Sequence, residues 1–211
     1  MWFLFFLSLL ILPSYQIEPS KIIILYFSRP GENARVGIVE VGNTKMVASY
    51  IKQLYNFDDF EIIPETPYPE SYDETYTMAE EERNLDIRPN LTAYINDISA
   101  YDVILLGYPI WLTRLPNIVM TQLELLNFEG KKIYPFITHE GSGKGMSIDL
   151  IRKSAPKAKI GTEFILRGTE ARNETSHESI KKWVDKILQE EGEGSYIKTS
   201  IFILLLILLI F

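Results

Sequence analysis

Three short segments carry side chains suited to holding a ligand, and each follows a run that reads as a buried strand. The first is Ser28, Arg29, Pro30, Gly31, Glu32 and Asn33, continued by Gly42, Asn43 and Thr44 at the start of a helix. Hydroxyls, amides and free backbone N–H groups at a helix amino end suit a phosphate monoester without a lysine. The second runs Tyr108, Pro109, Ile110, Trp111, Leu112 and Thr113, where a loop tryptophan can lie flat against an aromatic ring. The third is Thr138, His139, Glu140, Gly141, Ser142 and Gly143, whose glycines let backbone approach a planar ligand closely. One loop for a phosphate and two for a flat ring together describe a mononucleotide with a large aromatic system.

Such loops need a scaffold, and the chain alternates between strand and helix patterns. Residues 21–28 form a near-continuous apolar run rich in β-branched residues, as in a parallel strand covered on both faces. Further strands are predicted over 60–63, 102–108, 131–138 and 159–166. Helices are predicted over 44–55, 72–85, 116–125, 147–153 and 178–189, the last bearing Trp183. This alternation predicts an α/β fold, a three-layer doubly wound sandwich around a parallel sheet. In such sheets ligands bind beyond the carboxyl ends of the strands, where the three segments fall.

Composition removes other chemistries. The chain of 211 residues has no cysteine, which excludes disulfide scaffolds, thiolate metal sites and cysteine nucleophiles. Two histidines, His139 and His177, leave little for a histidine-rich metal centre, so no metal site is expected. With 28 acidic against 21 basic residues, the formal charge of −7 argues against a nucleic-acid partner. The run from Gly141 to Gly145 is not a triphosphate loop. Thr138 stands where that motif needs its first glycine, and Gly145 follows Lys144 in place of Ser or Thr. No Gly-x-Ser-x-Gly elbow is present either.

The segments, in their order, resemble the flavodoxin-like family, in the branch whose phosphate loop is split by an insertion. That branch reads YFSRTGEN, GNT, GYPIWW and a THGGSG-like run. Here residues 26–33, 42–44, 107–112 and 138–143 stand in those places, and the stretch 65–76 and the Arg88-Pro89 pair are similar too. The resemblance covers roughly residues 21–170. It implies a five-stranded parallel sheet of order 2-1-3-4-5 and non-covalently held FMN as cofactor. It places the phosphate near Ser28, Arg29, Asn43 and Thr44, and the ring between the 108–112 and 138–143 loops. It implies electron transfer to a redox partner protein, or NAD(P)H-dependent reduction of a quinone-like small-molecule acceptor. The alternative is a membrane-tethered interaction module of the same fold that no longer binds FMN.

The chain departs from the branch at three places. Pro30 replaces Thr and removes a hydroxyl from the phosphate loop. Leu112-Thr113 replaces Trp-Gly, which halves the aromatic content there and opens one face of the ring. Glu140 replaces Gly and puts a carboxylate near the ring, expected to lower the flavin's potential by like-charge repulsion. Several residues have two readings. Arg29 pairs with the phosphate or with a carboxylate. His139 is structural or binds the flavin through its main chain. Trp111 is a core aromatic or the ring platform. The acid-rich helix over 72–85 is a solvated face or a docking surface for a basic partner.

The ends stand apart. Residues 1–12 hold eleven apolar residues, so 1–16 is expected to be a signal peptide or amino-terminal anchor. Residues 20–190 are expected to form the FMN-binding domain that the resemblance implies. Residues 191–211 make a polar spacer and an apolar tail, too short to span a bilayer, resembling a lipid-anchor signal with Gly192, Gly194 and Ser195. Membrane association in the secretory pathway or at the cell surface is expected, and the acceptor sequons at Asn90 and Asn173 agree. Lys21, Arg29 and Lys198 favour the alternative, a cytosolic-facing anchor.

Overall fold

The structure is a computed structural model that describes residues 21–192. The apolar run 1–12 and the tail 201–211, with the signal and anchor expectations they carry, lie outside the described residues. Among the described residues no helix is long and apolar enough to cross a membrane.

In chain order the first half holds β1 (Ile22–Tyr26), β2 (Gly31–Asn33), β3 (Gly37–Val39), α1 (Asn43–Tyr55), β4 (Asp58–Glu61), β5 (Ile63–Pro64) and α2 (Tyr72–Asn84). The second half holds β6 (Leu91–Ala93), β7 (Val103–Pro109), α3 (Asn117–Glu124), β8 (Lys132–His139), α4 (Ser147–Ser154), β9 (Lys159–Ile160) and β10 (Phe164–Arg167). A short 3-10 turn at Glu174–Ser176 leads into a last helix over residues 177–192.

Strand β1 is buried at every position, as an Ile/Leu run covered on both faces must be. It pairs in parallel with β4 on one side and β7 on the other, and β7 pairs in parallel with β8. Both β9 and β10 pair with β8, so the sheet runs β10-β8-β7-β1-β4, the expected 2-1-3-4-5 order. Helix α1 lays Val47, Ala48 and Ile51 inward and touches β1, β7 and β8. The hydrophobic core packs Ile118, Val119, Met120 and Leu123 of α3 with Ile104 and Leu106 of β7.

Three local expectations are corrected. The strand expected at 60–63 is β4 at Asp58–Glu61; Ile63–Pro64 leaves the sheet to pair antiparallel with Leu91–Ala93. Pro64 has no N–H to offer a ladder. The strand expected over 159–166 is broken, with residues 161–163 between β9 and β10. Within the break Gly161 lies against Tyr134, whose ring a side chain at that position would overlap. The freed carbonyl of Thr162 accepts from Trp183 Nε1 at 3.1 Å. Finally, the loop 29–42 contains the antiparallel hairpin β2–β3, turned by Arg35 and Gly37 at φ 59° and 86°.

Gly107 sits at the centre of β7, in register with Phe136 of β8. A Cβ there would overlap the Phe136 ring, which also meets Trp183 edge-on at 6.3 Å. Interiors this close to crystal density do not absorb an added methyl freely. Gly107→Ala is therefore expected to destabilise the fold by about 1–3 kcal/mol. Urea unfolding would show a lower midpoint at unchanged slope; an unchanged midpoint would refute the close approach.

Candidate functional site

The carboxyl ends of β1, β7 and β8 open into a cleft of about 380 Å³. It lies where chain connections leave β1 in opposite directions, to β4 and later to β7, the switch point at which open sheets bind ligands. Its size is that of a small-molecule site.

At one end stands the amino end of α1. Gly42, the residue before the helix, is extended and offers no side-chain cap. Of the first N–H groups, which a helix leaves without internal partners, that of Lys45 donates to Ser28 Oγ at 3.0 Å. Those of Asn43 and Thr44 meet no acceptor among the described residues. Gly42 is a glycine for lack of space, since a Cβ would overlap Ser28 Oγ and the Arg29 carbonyl. The Thr44 hydroxyl shares a 2.8 Å hydrogen bond with that of Thr138, joining α1 to the end of β8. No acidic residue lies in the first turn of α1.

Among the described residues Arg29 pairs with no carboxylate, and its guanidinium is taken up by backbone carbonyls. Its Nη1 donates to the carbonyls of Pro30 (2.9 Å), Pro69 (2.9 Å) and Glu70 (3.2 Å), and its Nη2 to that of Glu32. The guanidinium thus clamps the hairpin to the segment before α2. Burial lowers its pKa, and Glu32 opposes that. Asn33 also faces inward, its amide donating to the Gly31 carbonyl at 3.0 Å.

The other end of the cleft is aromatic. Trp111 meets Phe27 at 5.3 Å and Tyr68 at 4.8 Å, both edge-on, so two rings brace it from beneath. Trp111 and Arg114 exchange N–H···O bonds of 3.1 and 2.9 Å around Leu112 and Thr113. Both central residues are left-handed, φ 49° and 62°, the geometry of a turn that normally wants Asn-Gly. Opposite, Tyr72, Thr75, Tyr76 and Ala79 bring one face of α2 to the cleft, the two exposed tyrosine rings 6.5 Å apart.

The 138–143 loop is built around His139. Its Nδ1 accepts from the N–H groups of Gly141 (2.8 Å) and Gly143 (3.2 Å), both at positive φ. Burial lowers its pKa, Arg167 adds to that, and Glu140 opposes it. The neutral ring is the form that can accept these bonds. Glu140 turns its Oε1 to the N–H of Thr169 at 2.8 Å, tying the loop to the turn after β10.

A flavodoxin family model matches residues 21–187. The chain belongs to the flavodoxin family. Its fold is shared with a candidate flavoprotein from Bacteroides eggerthii DSM 20697 at 28% identity, which covers 80% of this chain and 98% of that one, TM-score 0.60. A candidate flavoprotein from Bacteroides uniformis ATCC 8492 shares it at 23% identity, with coverage of 80% and 99% and TM-score 0.63. A flavoprotein in complex with FMN from Lactobacillus acidophilus NCFM shares it at 18% identity, with coverage of 69% and 93% and TM-score 0.54. No curated protein matches the chain.

Within this flavodoxin fold the expected residues divide cleanly. Ser28, Arg29, Asn33, Asn43, Thr44, Pro109, Ile110, Trp111, Thr138, His139, Glu140 and Ser142 line the cleft. Pro30, Gly31, Gly42, Gly141 and Gly143 shape its loops without lining it. Tyr108 does neither: its side chain is fully buried and donates to Ser147 Oγ at 3.0 Å. Glu32, Leu112 and Thr113 of the expected segments line the cleft too, and Ala34, Tyr72, Thr75, Tyr76, Ala79 and Gly168 line it although they were not among the expected residues. The i, i+3, i+4, i+7 spacing of 72, 75, 76 and 79 is the signal that picks out the α2 wall.

Beneath Trp111 lies a buried acid. Tyr68 donates to Glu82 Oε2 at 3.1 Å, while Glu82 Oε1 and Arg114 Nε have no partner among the described residues, beside a void of about 10 Å³. Burial raises the Glu82 pKa to about 7, against the lowering effect of the Tyr68 bond. The folded chain thus keeps this proton where the unfolded chain, near 4.5, has lost it. Its contribution to stability is complete below about pH 4.5 and drains away as pH rises to about 7. Glu82→Gln, isosteric with the protonated acid, is expected to melt higher than wild type above pH 7 and to converge with it near pH 4.5. Parallel melting curves across that range would contradict the buried neutral acid.

Thr113 gives a second test. A β-branched left-handed residue costs roughly 1–2 kcal/mol, part of which glycine returns as unfolded-state entropy. Thr113→Gly is expected to stabilise the chain by about 0.5–1 kcal/mol, read as a higher urea midpoint. A loss of stability would show that the Thr113 side chain is needed there.

Proposed function

We propose that the cleft holds FMN without a covalent bond and that the chain is a flavin redox protein. The observation that carries this is the uncapped amino end of α1, opening into a cleft whose far walls are aromatic. The donors fit a phosphate monoester: two unpartnered helix N–H groups, the Ser28 hydroxyl and the Asn43 amide. The Gly42 close approach fits as well, because it holds the Ser28 strand end against the helix end. Arg29 is not in the donor set, since its guanidinium holds the hairpin and the 69–70 segment.

When bound, FMN supplies one- and two-electron transfer. The side chains bind and orient it. Trp111, held by Phe27 and Tyr68, offers a rigid wall, and the α2 tyrosines offer the wall across the cleft. His139 shapes the backbone that approaches the ring, and its neutral Nδ1 has no proton to donate. Leu112, in place of a second Trp, leaves room for a flat acceptor or a nicotinamide. That favours NAD(P)H-dependent reduction of a quinone-like acceptor beside plain electron transfer to a partner protein. The apolar ends support placement at a membrane.

The full-length chain purified in detergent is expected to show visible flavin absorbance, or to acquire it on adding FMN. A colourless protein that cannot be reconstituted would refute the cofactor and leave an interaction module. Given a yellow protein, NAD(P)H oxidation with a quinone acceptor separates a reductase from an electron shuttle.

A further inference from the structure

Arg172, in the turn after β10, reaches back to the split phosphate motif. Its Nε donates to Asn43 Oδ1 at 3.0 Å, and its Nη2 to the carbonyl of Val41. The residues on either side of Gly42 are therefore held by one planar guanidinium. The neighbouring lysine of α1 behaves differently, since Lys45 pairs with Glu61 at 2.6 Å. Arg172 pairs with no carboxylate among the described residues. Glu140 reaches the same turn, where its Oε1 accepts from the Thr169 N–H, and its carboxylate stays beside the cleft without contacting Arg172.

This puts a cation against the positive end of a helix dipole whose first turn holds no acid. Like charges so placed repel, unless an anion sits between them. Asn43 supplies a second, independent observation. It is only 8% exposed and lines the cleft, and its oxygen is committed to Arg172. Its amide nitrogen is left as a donor with no acceptor among the described residues. Gly168, which also lines the cleft, lets the turn come this close, because a Cβ there would overlap that amide nitrogen.

We propose that Arg172 is the positioning residue for the ligand's phosphate: it sets Asn43 as a donor into the cleft and supplies the positive charge of that end. The inference rests on the FMN reading and deepens it. It makes the site selective for the phosphorylated flavin over riboflavin, which has the same ring and no phosphate.

The test titrates the flavin-free full chain with FMN and with riboflavin, following quenching of flavin fluorescence, for wild type, Arg172→Gln and Arg172→Lys. Arg172→Gln is expected to weaken FMN binding about tenfold or more, as for a lost charge-assisted contact, while riboflavin binding changes little. Arg172→Lys keeps the charge but not the fork, and is expected to recover part of the FMN preference. It also answers the question should Arg172→Gln fail to fold. If wild type binds FMN and the variants lose FMN and riboflavin in equal proportion, Arg172 is a scaffold residue and the inference falls alone. If wild type binds neither flavin, the cofactor reading falls and takes the inference with it.

Discussion

A helix that begins with glycine at its cap position leaves N–H groups with nothing to bond, and the cleft is arranged around that deficit at α1. Gly42 cannot cap the helix, yet no larger residue would fit against Ser28 and Arg29. Ser28 satisfies Lys45, and two further N–H groups open into the cleft. Around them gather the hydroxyls of Thr44 and Thr138 and the Arg172 fork. A helix end of this kind is a stable local structure only when solvent or an anion completes it. The parallel sheet supplies the rest, because β1 and β8 end beside that helix and hand over their loops there.

The opposite walls depend on strain and on aromatic packing. The 111–114 turn takes a left-handed course with Leu and Thr where glycine would be at ease, and two reciprocal hydrogen bonds hold it. Met146 N–H secures the Thr113 carbonyl at 2.9 Å, so the turn is anchored to the start of α4. Trp111 is thus fixed from both sides, by backbone bonds at its own turn and by the Phe27 and Tyr68 rings below. Buried Glu82 bonds to Tyr68 at the base of this stack, where an added charge would be poorly solvated.

Much of the sheet is legible in the sequence because β1, β7 and β8 are apolar runs covered on both faces, and loops with turn chemistry separate them. The three ligand segments are legible for the same reason, since each follows such a strand. What escapes is whatever depends on a distant partner. The direction of Arg29 is decided by carbonyls about 40 residues away. The need for glycine at 161 is decided by the Tyr134 ring on the adjacent strand. The charges of α2 conceal the face formed by Tyr72 and Tyr76. Tyr108 lies within a cleft motif, yet alternation along β7 turns its side chain into the core toward Ser147. Arg172 stands 129 residues from Asn43 and carries no local pattern at all.

That last separation has a consequence for assembly. The end of the cleft beside α1 draws on Ser28 near the start of the domain and on Arg172 near its finish. No growing chain can complete it until β10 and the following turn have emerged and docked. Contacts between such distant residues form late, after the sheet has closed the intervening loop. A ligand seated there recognises only the finished sheet and withdraws it from the unfolding equilibrium by mass action. A ligand bound there would add its binding free energy to the finished sheet and to no shorter length of the chain.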